Sequence, residues 1–199
     1  RTNVSYTLPE TVNEIGNHSF VYTQFLQNIL LPNSLSSIEY GAFIGSGLVE
    51  LVLPSNLQFI SPGSLAALFE LTEIEVAVDN PYFSAIDGVL FNKSGSELLA
   101  YPSGKTGTLY TIPSGTEIIG NTAFRDVQNL LEILIPSSVH TIESKAFSAA
   151  TNLSKIVIPN TVLTIEANVF QETDSLIIYT EFITKPLGWD IEWNSENYP

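Results

Sequence analysis

The amino-acid sequence predicts a solenoid of short stacked coils, each giving one strand to a parallel sheet, and three observations carry that reading. Prolines recur at 113, 136 and 159, isoleucines at 119, 142 and 165, and phenylalanines at 124, 147 and 170, every series stepping by 23 residues. The unit is seen most cleanly from Pro136 to Ile158, PSSVHTIESKAFSAATNLSKIVI. A unit this short has one apolar side and too little chain to bury it, so stacking on the next copy is what creates a core.

The first unit enters through Tyr6, Thr7 and Leu8 and continues with Pro9, Val12, Ile15, Phe20, Leu26, Ile29 and Leu31. The second reads Pro32, Leu35, Ile38, Phe43, Leu48, Leu51 and Leu53, and is one residue shorter because the loop after Phe43 is clipped. The third reads Pro54, Leu57, Ile60, Leu65, Leu71, Ile74 and Val76, with Leu65 where the others have phenylalanine. Coils of 22–23 residues follow. Within each, the segment before proline alternates: Leu153, Ile156 and Ile158 are expected inward, Lys155 and Val157 outward, the period of a short strand. Proline ends the strand because it has no N–H for a ladder and its ring sets a turn. The phenylalanine sits mid-unit in GNTAF and ESKAF, where an irregular, short helical or 3₁₀ turn is expected on the side opposite the strands. The rings at 20, 43, 124, 147 and 170 are expected to form one buried file.

Regularity breaks from Asp79 to Gly107. Two apolar runs, Gly88 to Phe91 and Glu97 to Tyr101, are joined by NKSGS and read as a β-hairpin turning near Lys93 to Ser96. The array resumes at Tyr110, Ile112 and Pro113 and runs to about Tyr179. The expected organisation is a single domain, 1–199, with regular repeats over 9–78, a hairpin insert over about 79–107, regular repeats over 108–181 and a cap-like coil over 182–199. In that last coil Trp189 and Trp193, four apart, are placed to cover the exposed end of the stack.

Composition removes several function classes. Twenty-one acidic residues against seven basic ones give a formal charge of -14, which repels a phosphate backbone and argues against a nucleic-acid partner. With no cysteine there is no disulfide, thiolate nucleophile or cysteine-ligated zinc. No stretch approaches the roughly 20 apolar residues needed to cross a bilayer, so direct membrane insertion is not expected. Arg1 already stands inside a repeat, so the sequence reads as part of a larger chain, and as a fragment it is expected to be monomeric.

The individual motifs resolve into scaffold. LPETV, from Leu8 to Val12, has valine where a sorting signal has glycine, and the repeat register accounts for its apolar positions. SGKTG, from Ser103 to Gly107, has Leu99 at the first glycine position of a phosphate loop and no long helix after it. His18 and His140 have no partner at metal-ligand spacing, no serine has a base oriented toward it, and Glu70, Glu73 and Glu75 lack calcium-loop spacing. Asn3, Asn17, Asn92 and Asn152 begin N-x-Ser sequons, which matter only in a eukaryotic secreted chain. No catalytic, cofactor-binding or metal residue is expected, and an enzyme is not.

The repeat resembles the BspA-like, or Treponema pallidum type, subclass of leucine-rich repeats of bacterial surface proteins. The family pattern falls on Leu130, Ile133, Ile135, Pro136, Val139, Ile142, Ala146, Phe147 and Leu153, and six units share the register. NPYFSAIDGVLFNKSG and GWDIEW are similar to the family's usual insert and terminal coil. The departure is the small, often cysteine, position three after phenylalanine, held here by Thr23, Ser46, Val127, Ala150 and Thr173. The resemblance implies a right-handed arc with its strands on the concave face, secreted or displayed on a bacterial cell surface and used for adhesion or recognition. It transfers no catalytic residue.

Aligned on the prolines, the outward strand positions form two columns. One carries Thr7, Leu30, Val52, Thr111, Leu134 and Val157; the other carries Asn28, Glu50, Leu109, Glu132 and Lys155, with Glu73 and Glu75 equivalent where the proline is missing. An apolar column beside a charged one, repeated at strand spacing, predicts a binding face for a protein or glycan, centred on Leu109, Thr111, Glu132, Leu134, Lys155 and Val157 and extended by Leu30, Glu50 and Val52. The competing reading is a spacer or stalk with no ligand of its own, because β-branched and apolar residues also favour exposed sheet positions by propensity.

Overall fold

The protein is described from a computed structural model covering residues 4–194; Asn3 of the first sequon and residues 195–199 of the expected cap-like coil lie outside the described residues. Described residues form strands and turns with no helix. The first array holds β1 (Val4–Thr7), β2 (Glu14–Ile15), β3 (Leu26–Leu30), β4 (Ser37–Ile38), β5 (Glu50–Leu53), β6 (Phe59–Ile60) and β7 (Glu73–Val76). The insert holds β8 (Phe83–Ile86), β9 (Val89–Asn92) and β10 (Glu97–Ala100). The second array holds β11 (Leu109–Thr111), β12 (Ile118–Ile119), β13 (Glu132–Leu134), β14 (Thr141–Ile142), β15 (Lys155–Ile158), β16 (Thr164–Ile165) and β17 (Ile177–Thr180).

The solenoid is confirmed, and each regular coil contains more strand than expected. Besides the long strand before proline, a two-residue strand follows it, and these short strands form their own parallel ladders, β2-β4-β6 and β10-β12-β14-β16. Two residues leave no alternation for a sequence pattern to show. The long strands pair in parallel as β1-β3, β5-β7 and β11-β13-β15-β17. Their inward residues are buried as the alternation requires: Leu153, Ile156 and Ile158 are covered, while Lys155 is exposed and Val157 partly so.

The third side of each coil is neither helical nor 3₁₀. It is a turn in which left-handed residues stand two before and two after the phenylalanine: His18 and Tyr22 at φ 56 and 55, Thr122 and Asp126 at 60 and 63, Lys145 and Ala149 at 58 and 54. That conformation costs a non-glycine residue roughly 1–2 kcal/mol, and its recurrence has a local cause. Alternating handedness swings the peptide planes so that the N–H groups at and around the ring point along the solenoid axis. Thr122, Phe124 and Asp126 donate to the carbonyls of Ser144, Ala146 and Ser148 at 3.2, 2.7 and 3.0 Å, and Phe147 and Ala149 repeat this with Val169 and Gln171. In the second array a coil is thus hydrogen-bonded to its neighbour on all three sides, which satisfies backbone groups that stacking buries.

The insert is built into the stack. Asp87 and Gly88, at φ 51 and 72, make a two-residue turn joining β8 to β9, and β9 pairs antiparallel with both β8 and β10. β10 then pairs in parallel with β12, so the insert takes the place of a short strand. Asn80 fastens its start: fully buried, it donates to the carbonyls of Pro54 and Leu57 at 2.8 and 3.0 Å and accepts the N–H groups of Tyr82 and Phe83 at 2.8 and 2.9 Å.

The expected single file of rings is corrected to two. Tyr101, Phe124, Phe147 and Phe170 stack at centroid distances of 5.3, 5.2 and 5.4 Å, while Phe20 and Phe43 stack separately at 5.4 Å. Leu65 interrupts the series, and the core divides there: Leu90 of β9 packs with the first array, Val89 and Phe91 with the second. Phe20 is only partly buried: among the described residues its ring stacks on Phe43 on one side and meets only the tilted ring of Tyr6, at 6.2 Å, on the other. At the other end Trp189 is buried, donates its indole N–H to the Val162 carbonyl at 2.9 Å, and meets Trp193, whose ring stands edge-on to Phe170 at 6.0 Å.

Candidate functional site

Strand pairing places the predicted residues in two columns. In the second array Leu109, Glu132, Lys155 and Ile177 align across β11, β13, β15 and β17, and Thr111, Leu134, Val157 and Tyr179 align beside them. All these side chains reach solvent; Leu109, Leu134, Ile177 and Tyr179 are 54%, 41%, 58% and 51% exposed. Lys155 Nζ lies 2.7 Å from Glu132 Oε1, an ion pair directed along the column, and this bond and charge raise the lysine pKa above its ordinary value. In the first array Glu50 faces Glu73 and Val52 faces Glu75 on β5 and β7, with Leu30 paired to Thr7 on β3 and β1. The two groups are not one continuous sheet: between β7 and β11 the ladder is broken by the insert.

Ile177 and Tyr179 belong to the columns and were absent from the proline-based alignment. Their strand ends at Thr180 and Glu181 where the others meet proline, so only the register, Val157 opposite Tyr179, reveals them.

A second feature lies at the break between the cores. A cavity of about 60 Å³ is bounded by the Ser61 to Ala66 turn, by Glu97 and Tyr101 of the insert, and by Asn121, Arg125 and Glu143 of the second array. The turn ladder changes partner here: Asp126 accepts the Ala67 N–H on its carboxylate and pairs with Arg125 at 3.3 Å. Burial raises the Asp126 pKa against the opposing pull of Arg125, and burial followed by the nearby Glu143 charge raises that of Glu97. A carboxyl whose folded pKa lies above its unfolded value binds protons more readily in the folded state, so its ionisation opposes folding as pH rises through the folded pKa. The contribution of Glu97 and Asp126 to stability is therefore expected to increase on acidification from neutrality, for Glu97 toward the ordinary glutamate value of 4.5. Urea denaturation at pH 7 and pH 5 checks this: Glu97→Gln should gain less than wild type between the two, and an equal gain would show that Glu97 contributes nothing.

The dismissed motifs are structural. Gly104 of SGKTG passes so close to the preceding coil that a Cβ would stand 2.5 Å from the Phe69 carbonyl oxygen, and Ser103 is buried. His18 packs edge-on against Tyr40 at 5.5 Å. Among the described residues no group of three or more histidine, aspartate or glutamate side chains is placed to hold a metal ion, and no helix is long and apolar enough to cross a membrane.

Comparison with known proteins decides the family. The family model described as the BspA type leucine rich repeat region matches residues 2–106 and 100–183, in six copies. The chain belongs to the BspA-type leucine-rich repeat family. Among solved structures, this leucine-rich repeat chain is similar to a leucine-rich repeat protein from Eubacterium ventriosum, with TM-score 0.77 and 27% identity over 88% of this chain and 53% of that one. The pneumococcal vaccine antigen PcpA follows at TM-score 0.75 and 26% identity, over 88% and 46%. A leucine rich cell surface protein from Faecalibacterium prausnitzii shares the fold at TM-score 0.62 and 24% identity, over 89% and 60%. The chain spans about half the length of the first two. No curated protein matches the sequence.

Proposed function

We propose that this chain is a recognition module of a bacterial surface protein, binding a protein or glycan through the long-strand face of its second array. The observation that carries the reading is the set of apolar side chains held outward in register on four adjacent strands, Leu109, Leu134, Val157, Ile177 and Tyr179. A fixed sheet presents them at roughly 4.8 Å intervals, so a partner meets a preorganised surface and little ordering opposes binding. Apolar area supplies the association free energy, and the Glu132–Lys155 pair beside it selects orientation. The descriptions of two similar proteins, a vaccine antigen and a cell surface protein, support a surface location.

The test begins with a screen of immobilised extracellular matrix proteins and glycans against an empty surface. For a captured partner, the double variant Leu134→Glu with Val157→Glu is expected to weaken binding at least about a hundredfold, while circular dichroism stays that of wild type because both side chains point outward. Unchanged affinity would place binding elsewhere, the insert being the first place to look. Absence of any partner on such a screen would favour a spacer role.

A further inference from the structure

The long strands of the first array, in the separate ladders β1-β3 and β5-β7, carry an unpartnered outward face whose chemistry differs from that of the second array. Leu30 and Val52 stand 64% and 49% exposed, and around them Glu50, Glu73 and Glu75 all reach solvent. Pairing sets Glu50 directly opposite Glu73, and Glu75 opposite Val52. Like charges facing each other on neighbouring strands destabilise a sheet, and among the described residues none of the three makes an ion pair; Lys105 Nζ, beside the Gly88 turn that packs on Glu73, is paired with Asp87 instead. The described ion pairs are Lys105 with Asp87, Arg125 with Asp126 and Lys155 with Glu132; none reaches this column. Lys93 and Lys185 are directed instead to the carbonyls of Asn80 and Asp190.

We infer that this half of the long-strand face docks a cationic, partly apolar segment of another protein, with lysine or arginine side chains meeting Glu50, Glu73 and Glu75 and an apolar side chain seated between Leu30 and Val52. Charge complementarity selects this occupant. A second copy of the chain would set acid against acid, at -14 for each molecule, and an anionic partner is repelled in the same way. The inference rests on the reading of the long-strand face as a recognition surface, and adds to it the chemistry of the partner.

The probes are short alternating lysine–leucine, serine–leucine and glutamate–leucine peptides, titrated into the full chain by calorimetry at low and physiological salt. The lysine–leucine peptide should bind, weaken as salt rises, and lose roughly tenfold in affinity to the triple variant Glu50→Gln, Glu73→Gln, Glu75→Gln. A matched variant, Glu10→Gln, Asp174→Asn, Glu192→Gln, removes the same charge from turns outside the face and should stay within about twofold of wild type. Equal loss in both variants, equal binding of the serine–leucine peptide, or no binding of any peptide overturns the inference. If a screened partner is lost to Leu134→Glu with Val157→Glu but kept by the triple glutamine variant, the recognition face stands and this inference falls. Should the triple variant not fold, Glu73→Gln alone keeps the test, because it breaks the facing pair.

Discussion

Phe147→Ala is expected to lower the stability of the second array by about 3–5 kcal/mol, the range for removing a fully buried aromatic ring. The ring is completely covered and lies between two others, 5.2 Å from Phe124 and 5.4 Å from Phe170, almost parallel to the second at 5°. Its loss opens a void that the backbone cannot close, since the N–H groups on either side are tied to the next coil through Phe147 to Val169 and Ala149 to Gln171. For a chain of this size the thermal midpoint should fall by roughly 10 °C. Phe20→Ala provides the internal comparison: Phe20 is only partly buried and stacks on one ring, so its loss should be well below that of Phe147. Equal losses would mean that ring burial does not set the stability of a coil.

Two neighbouring substitutions in β9 are expected to act on different halves of the molecule. Leu90 is fully buried among Leu65, Leu68 and Ile74 of the first core, and Phe91, also fully buried, lies in the second with Leu98 and Phe124. Leu90→Ala should cost about 2–5 kcal/mol and Phe91→Ala about 3–5 kcal/mol, and the location of the loss is the sharper outcome. Hydrogen exchange should show lost protection concentrated over β3 to β7 for Leu90→Ala and over β11 to β15 for Phe91→Ala. Uniform loss across both arrays in both variants would mean that the two cores unfold as one cooperative unit.

How far the sequence reveals this architecture depends on whether a residue's role repeats. Ile133, Ile142 and Phe147 could be placed because each has counterparts one unit away on both sides, and six copies make chance improbable. What occurs once was not placed: Tyr101 takes over the ring position at the head of the second file, and no periodicity announces a tyrosine from the insert. The left-handed turn positions were hidden for another reason. Gly41, Gly45 and Gly63 mark them in two coils, but Thr122 and Asn168 hold the same conformation under the compulsion of inter-coil hydrogen bonds, against their own preference. One signal was legible and unused: Asp87-Gly88 between apolar runs is the strongest short hairpin sign a sequence offers, and it marks the β8–β9 turn. For the surface, period-two alternation placed every outward residue named from the sequence. It could not bring Glu97 beside Glu143, which are neighbours only because β10, β12 and β14 pair.

The strand β9 has a mechanical consequence. Its two faces close two separate apolar interiors, so it acts as a bulkhead: a pull on the first coils is expected to open the interior that holds Leu90 while Val89 and Phe91 still seal the other. A tethered molecule under shear would then lengthen in two separate steps, and the half bearing Leu134 and Tyr179 would stay folded while the other gives way.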